Sequence, residues 1–276
     1  MTNLPSVAPV LVRSRDNALV KRLRRLAEQP AAYRKLGQFW IEGEHLCQAA
    51  LARGAVPQMV VFSESFYPRA PALLRQAAAA CVVMADDLFA DIGTLPSPAA
   101  FGFVMALPAV VPLLAHAPTV VLDRLQDAGN VGSILRSASA FGSAQVLALS
   151  GTAALWSPKV LRAAMGAHFA LRLVEGLEPV DVTRLGLPLV VTSSHAGVLL
   201  QQAVLPRPCA WVFGHEGQGV CAELNNAASR AVRIGQPGGE ESLNVAAAAA
   251  ICLHASSLSQ APGRAAASHR TRVPRL

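Results

Sequence analysis

In the second half of the chain, short apolar runs alternate with helix-like stretches, and this alternation restricts the fold more than any other feature. TVVL (119–122), QVLAL (145–149), ALRLV (170–174), LPLVVTS (187–193), CAWVF (209–213) and AVRI (231–234) have the length and β-branched content of buried strands. Helical stretches fall near 131–141, 158–165, 222–229 and 243–258. Such alternation predicts an α/β domain: a mostly parallel sheet covered by helices, with ligands held in loops beyond the strand ends.

The first hundred residues read as a smaller α/β unit, with helices over 17–26 and 44–53 and strands in VPQMVVFS and CVVMA. Between Ile92 and Leu122 the chain carries no Lys, Arg, Asp or Glu, but Pro96, Pro98, Pro108, Pro112 and Pro118 interrupt it. A membrane span needs about 20 apolar residues in continuous helix, so this segment reads as strand GFVMAL, a linker and strand TVVL. The expected division is a first domain over 1–107, a linker over 108–118, a second domain over 119–258 and a basic flexible tail over 259–276.

An apolar fraction of 53% suits packed domains and argues against disorder. The net charge of +7 is unevenly spread. Arg13, Arg15, Lys21, Arg22, Arg24, Arg25, Arg34 and Lys35 bunch near the start, and Arg264, Arg270, Arg272 and Arg275 lie in a stretch without acids. Basic clusters of this kind suggest a polyanionic partner, although a charge run alone is more often a solvated face. The five cysteines form no Cys-x-x-Cys pair, and no His/Cys/Asp cluster has ligand spacing, so reduced core thiols, a cytoplasmic location and no metal are expected. MTNLPSVAPVLVRSRDN has no long apolar core of the kind a signal peptide needs.

Three strand-to-helix loops concentrate polar residues. In DRLQDAGNVGSILRSASAFG, Asn130 stands at a helix start and Arg136 follows in its second turn, its side chain leaning toward the helix N-terminus. A helix N-terminus beside an Arg holds phosphate well, though a helix cap with a surface Arg explains the loop equally. GHEGQGV (214–220) has three glycines in six residues around Glu216, which allows close approach of a ligand or merely a tight turn. GGEESLNVAAAAAICLHA (238–255) runs from Gly238 through Glu240, Glu241, Ser242, Leu243 and Asn244 into an alanine-rich helix, with Ser242 or Asn244 as its cap. A Rossmann-type enzyme is disfavoured, because no glycine fingerprint follows the first strand.

In this order the three loops resemble the motifs of the SpoU/TrmH family of RNA ribose 2′-O-methyltransferases, part of the SPOUT superfamily. Asn130 with Arg136 is similar to the first motif, Gly214, Glu216, Gly217 and Gly219 to the second, and Gly238, Ser242, Leu243 and Asn244 to the third. SPKVLRAAMGA (157–167) resembles a segment between motifs, and SRDNALVKRLRRL with FWIEGEHLCQAAL resembles an L30e-like substrate-binding domain. His215, Ala128, Gly235, Gln236 and Ala246 depart from the usual residues.

The resemblance implies a deep trefoil knot, a homodimer whose sites are completed by the neighbouring chain, and S-adenosylmethionine as cofactor. It implies catalytic roles for Arg136, Asn130, Glu216, Ser242 and Asn244. It implies cofactor contacts from Thr192, Ser193, Gly214, Glu216, Gly219, Ile234, Gly238, Ser242, Leu243 and Asn244. The implied substrate is RNA, ribosomal RNA ahead of transfer RNA; a non-catalytic RNA-binding protein on the same scaffold is the alternative.

Overall fold

The structure is a computed structural model and describes residues 9–93, 99–193 and 196–258. The expected basic tail, residues 259–276, lies outside the described residues. In chain order the first part comprises β1 (Val10–Val12), α1 (Ala18–Glu28), α2 (Ala32–Leu36), β2 (Gln38–Glu42), α3 (Glu44–Ala52), β3 (Met59–Ser63), α4 (Ala72–Arg75), β4 (Ala80–Met84), α5 (Asp86–Ala90) and β5 (Phe101–Ala106). After residues 107–118, which form no helix or strand, come β6 (Thr119–Asp123), α6 (Ala128–Ala140), β7 (Gln145–Leu149), α7 (Pro158–Ala164) and β8 (Arg172–Leu177). Then follow α8 (Pro179–Thr183), β9 (Leu189–Thr192), β10 (Val198–Leu199), β11 (Ala210–Gly214), α9 (Ala222–Asn226), β12 (Arg230–Arg233) and α10 (Val245–Leu258).

The strands form two sheets. One has five strands in the order β1-β4-β3-β5-β2, parallel around β4 and antiparallel around β5. The other has seven in the order β10-β12-β9-β11-β6-β7-β8, with every described pairing parallel. Parallel strands covered on both faces are buried along their whole length, which is why β6, β7 and β11 read as continuous apolar runs. Successive side chains still alternate: Val120 and Leu122 join one core with Phe213 and Ile134, whereas Val121 joins a second with Val212, Val182 and Leu224. Helices α6 and α10 cover the first face, α8 and α9 the second.

Several boundaries differ from expectation for local reasons. The strand expected at 170–174 starts at Arg172, because residues 167–170 form a 3-10 turn. The helix expected over 222–229 ends at Asn226, where Ser229 turns to donate to Leu189 O. The last helix starts at Val245, after its cap, rather than at Leu243.

Two close approaches fix the scaffold around the site. A Cβ added to Gly132 would lie 2.4 Å from Ala163 Cβ and 2.9 Å from α7 backbone, so α6 and α7 meet only because residue 132 has no side chain. The two sheets are joined by Phe39 against Trp156, with ring centroids 4.6 Å apart, and by the buried Tyr33 hydroxyl, which donates to Glu175 at 2.6 Å. A Cβ on Gly166 would likewise meet Ala49 Cβ at 2.5 Å across this joint.

Buried beside Trp156, His168 donates through Nε2 to Leu155 O at 2.7 Å. Burial drives its pKa down to about 4, against a smaller opposing effect of the Leu155 carbonyl. The unfolded chain therefore binds a proton here that the folded chain refuses. Stability should fall as pH drops from the ordinary 6.5 toward about 4, and His168→Asn should flatten that slope in urea titrations at several pH values. Gly132→Ala forces α6 from α7 and should cost about 1–3 kcal/mol by the same measurement.

Candidate active site

Four adjacent strands of the seven-stranded sheet, β12-β9-β11-β6, run parallel. Their carboxyl ends therefore lie along one edge, and the loops that follow them are neighbours in space although far apart in sequence. The loops after β9, β11 and β12 and the start of α10 line a cavity of about 320 Å³, and the loop after β6, with Asn130, stands beside it. Thr192, Ser193, Gly214, Glu216, Gly219, Ile234, Ser242, Leu243 and Asn244, all expected at a site, contribute to its wall.

A single hydrogen-bond chain links three of the loops. Asn244 caps α10: its Oδ1 accepts from the N–H groups of Ala246 at 2.9 Å and Ala247 at 3.3 Å. Its Nδ2 must then point away from the helix, and it donates to Asn130 Oδ1 at 2.9 Å. That in turn leaves Asn130 Nδ2 to donate, which it does to Glu216 Oε1 at 3.2 Å. Each amide orientation is forced by the next, because donors and acceptors match in only one sense. Glu216 closes the chain by accepting from the N–H groups of Gln126 and Asp127 as well, at 3.3 Å each.

Partial burial pushes the Glu216 pKa up, but hydrogen bonds from backbone N–H groups and from Asn130 outweigh it and hold the carboxyl below the ordinary 4.5. The carboxylate form is the one the site is built around. Asp127 acts in parallel: as N-cap of α6, its Oδ1 accepts from Asn130 N at 2.7 Å and orients the residue that Glu216 holds.

The glycine loop is shaped from within. A Cβ on Gly214 would lie 2.2–2.5 Å from backbone atoms of Gly219 and Val220, so only glycine allows the loop to fold back on its own strand. Gly219 has φ +68°, and its backbone exchanges hydrogen bonds with His215. His215 Nδ1 accepts from Gly217 and Gln218 N–H at 3.0 and 3.2 Å, so a ring stands where the turn needs an acceptor.

Two expected site residues are placed elsewhere in this chain. Arg136 projects from the exposed face of α6, shared with Gly129 and Ser133, and has no hydrogen bond or ion pair among the described residues. Six residues of helix rotate it about 240° from Asn130, away from the cavity wall. Gly238 is exposed and does not line the cavity.

Sequence reasoning passed over Asp127, although an Asp directly before the first helical residue is an N-cap signal. It also passed over Val232, Val245 and Ala248, apolar wall residues with no local signal, and took Gln236 only as a departure. The Gln236 Oε1 is buried without a hydrogen-bond donor.

Residues 117–254 match the family described as SpoU rRNA Methylase, and residues 17–101 match the MRM3-like substrate binding domain. The chain belongs to the SpoU rRNA methylase family. It is 32% identical over 256 residues to an uncharacterized tRNA/rRNA methyltransferase of Synechocystis, covering 88% of this chain and 92% of the relative. The Bacillus subtilis 23S rRNA (guanosine(2553)-2′-O)-methyltransferase RlmP is 34% identical, covering 80% and 88%. Among solved structures, the SpoU methyltransferase AviRb of Streptomyces viridochromogenes in complex with AdoMet superposes with a TM-score of 0.80 at 25% identity, over 90% of this chain and all of that one.

The Glu216 network carries a prediction independent of any ligand. Glu216→Gln introduces an NH2 group where three donors converge, and should speed hydrogen exchange of the Gln126 and Asp127 amides about tenfold. In the unaltered chain the protection should be complete above pH 4.5 and fail as pH falls through a folded-state value below that.

Proposed function

We propose that this protein transfers a methyl group from S-adenosylmethionine to a ribose 2′-hydroxyl of ribosomal RNA. The observation that carries the reading is the hydrogen-bond chain Glu216–Asn130–Asn244, which ties together the three loops that resemble the family motifs beside a cavity of ligand size. The ribosomal substrate rests on family membership and on relatives such as RlmP.

The cavity suits the cofactor on its own evidence. Val232, Ile234, Leu243 and Val245 offer an apolar slot for an adenine ring, and the donorless Gln236 Oε1 gains a partner from a ligand N–H. Thr192, Ser193 and the backbone of Gly214, Gly219 and Ser242 would hold its polar groups. When bound, S-adenosylmethionine supplies an electrophilic methyl group on a sulfonium leaving group. The protein must align the ribose hydroxyl with it, and alignment alone contributes about 7–11 kcal/mol in favourable cases.

Arg136 supplies positive charge to the reacting hydroxyl. An arginine with a pKa above about 12 is no general base, so it binds the adjacent phosphate and steadies the developing alkoxide while a phosphate oxygen or water takes the proton. Because Arg136 faces away from its own cavity, we assign it to the cavity of a second copy. A homodimer is supported by exposed apolar residues along α10 and its entrance: Leu243, Ile251 and Leu258 at 38%, 42% and 69% exposure. The return of α10 from β12 to pack on α6 and β11 suits a trefoil-knotted path for residues 119–258. We read residues 1–107 as the L30e-like substrate-binding domain and 108–118 as the linker, and four buried free cysteines suit the cytoplasm.

The test is transfer of labelled methyl to under-modified rRNA and tRNA, scored as nuclease-resistant dinucleotides. Label should enter rRNA. Arg136→Ala should reduce it by about 100-fold or more, and Arg136→Lys should keep measurable activity. Co-expressed Arg136→Ala and Asn244→Ala chains should regain activity by assembling one intact site per dimer. Label confined to tRNA would overturn the substrate, and no label in any RNA would overturn the activity.

A further inference from the structure

Arg124 stands between β6 and the glycine loop but lines no part of the cavity. Its backbone is left-handed, φ +61°, a conformation that residues with a side chain rarely adopt outside glycine, Asn and Asp. The neighbours that hold it there are specific. Its N–H donates to Thr152 Oγ1 at 3.1 Å, and that hydroxyl donates to Leu122 O at 3.0 Å.

From this position the guanidinium spans three acceptors. Nε donates to Asp123 Oδ1 at 2.7 Å, Nη1 to Gln218 Oε1 at 3.0 Å, and Nη2 reaches Gly219 O at 3.5 Å. Asp123 is fully buried, and its second oxygen accepts from Cys221 N at 2.6 Å, just past the end of the loop. The loop is therefore gripped on one side by Glu216 through Gln126, Asp127 and Asn130, and on the other by Asp123 and Arg124 through Gln218, Gly219 and Cys221.

We propose that Arg124 is a positioning residue for the cofactor cavity: it holds the turn 215–219 in its binding shape before any ligand arrives. The proposal rests on the cofactor reading given above. A left-handed Arg is a poor choice for a surface turn unless its side chain is needed where that backbone aims it. A planar fork can bridge a carboxylate, an amide oxygen and a peptide carbonyl, and a lysine can pair with the carboxylate alone. Pre-forming the loop raises affinity by removing ordering that binding would otherwise have to impose.

Four proteins test this: the wild type, Arg124→Lys, Gln218→Ala and the double variant. Two readouts are taken on each, amide hydrogen exchange across 214–221 without ligand and calorimetric titration with S-adenosylmethionine, alongside melting temperature. Arg124→Lys keeps the pair with Asp123, so it should melt with the wild type yet exchange faster at Gly217–Gly219 and bind S-adenosylmethionine about tenfold more weakly, one hydrogen bond's worth. Gln218→Ala should weaken binding less. The double variant should be no worse than Arg124→Lys, since the same contact is lost twice. Wild-type exchange and affinity in Arg124→Lys would overturn the proposal, as would an affinity loss matched by a fall in melting temperature. Faster loop exchange in a protein whose wild type fails to bind S-adenosylmethionine would retain the clamp, overturn its tie to that cofactor and reject the cofactor reading separately.

Discussion

The pairing of β6 with β11 is the constraint on which the site depends. Five residues run in parallel register, from Thr119 opposite Ala210 to Asp123 opposite Gly214, so the first and second loops leave the sheet at the same level. Strand β9 pairs beside β11 and β12 beside β9, which brings two further loops to that edge. Slip this pairing by one residue and every inward side chain of β6 would turn to the opposite core. The alternation of Val120, Val121 and Leu122 between two cores therefore sets where Asp123 and Gly214 emerge, and through them where the cavity forms.

Chemistry at that edge is communal. Glu216, Asn130 and Asn244 come from three loops, with 86 and 114 positions between the bonded pairs, yet each hydrogen-bonds to the next. This explains the density of polar residues at the entrance of α10. Asn244 is cap and connector at once, and the exposed Glu240, Glu241 and Ser242 lead the chain along an edge where backbone must remain near water. Alanines follow because α10 packs against α6, itself thinned by Gly132 where it meets α7.

Much of this was legible in the sequence. Buried parallel strands advertise themselves as apolar runs, and QVLAL matches β7 residue for residue. The mostly parallel sheet follows from alternation with helices. Less legible were features decided by distant partners. FWIE forms β2 only because β5 lies antiparallel beside it, and its side chains read equally well as the lead-in to α3. Wall residues such as Val232 and Val245 look like any core valine, since the difference lies in which loops the sheet order brings near. The outward placement of Arg136 was hidden for a different reason: side-chain lean along a helix is local, but its azimuth relative to the cavity depends on how α6 sits on the sheet.

The joint between the sheets has a bearing on how such a protein measures its substrate. Phe39 packs at a tilt against Trp156, Tyr33 is tied to Glu175, and Gly166 admits Ala49 with no room for even a methyl group between them. Side chains packed this closely do not slide, so the five-stranded unit and the cavity edge keep a set spacing, like the jaws of a fixed gauge. Under the proposed function, an RNA that grips the first unit is presented to the second at one distance and one angle. Selection among RNAs would then be made by their folded shape, and a strand with the right bases in the wrong fold would not span the gap.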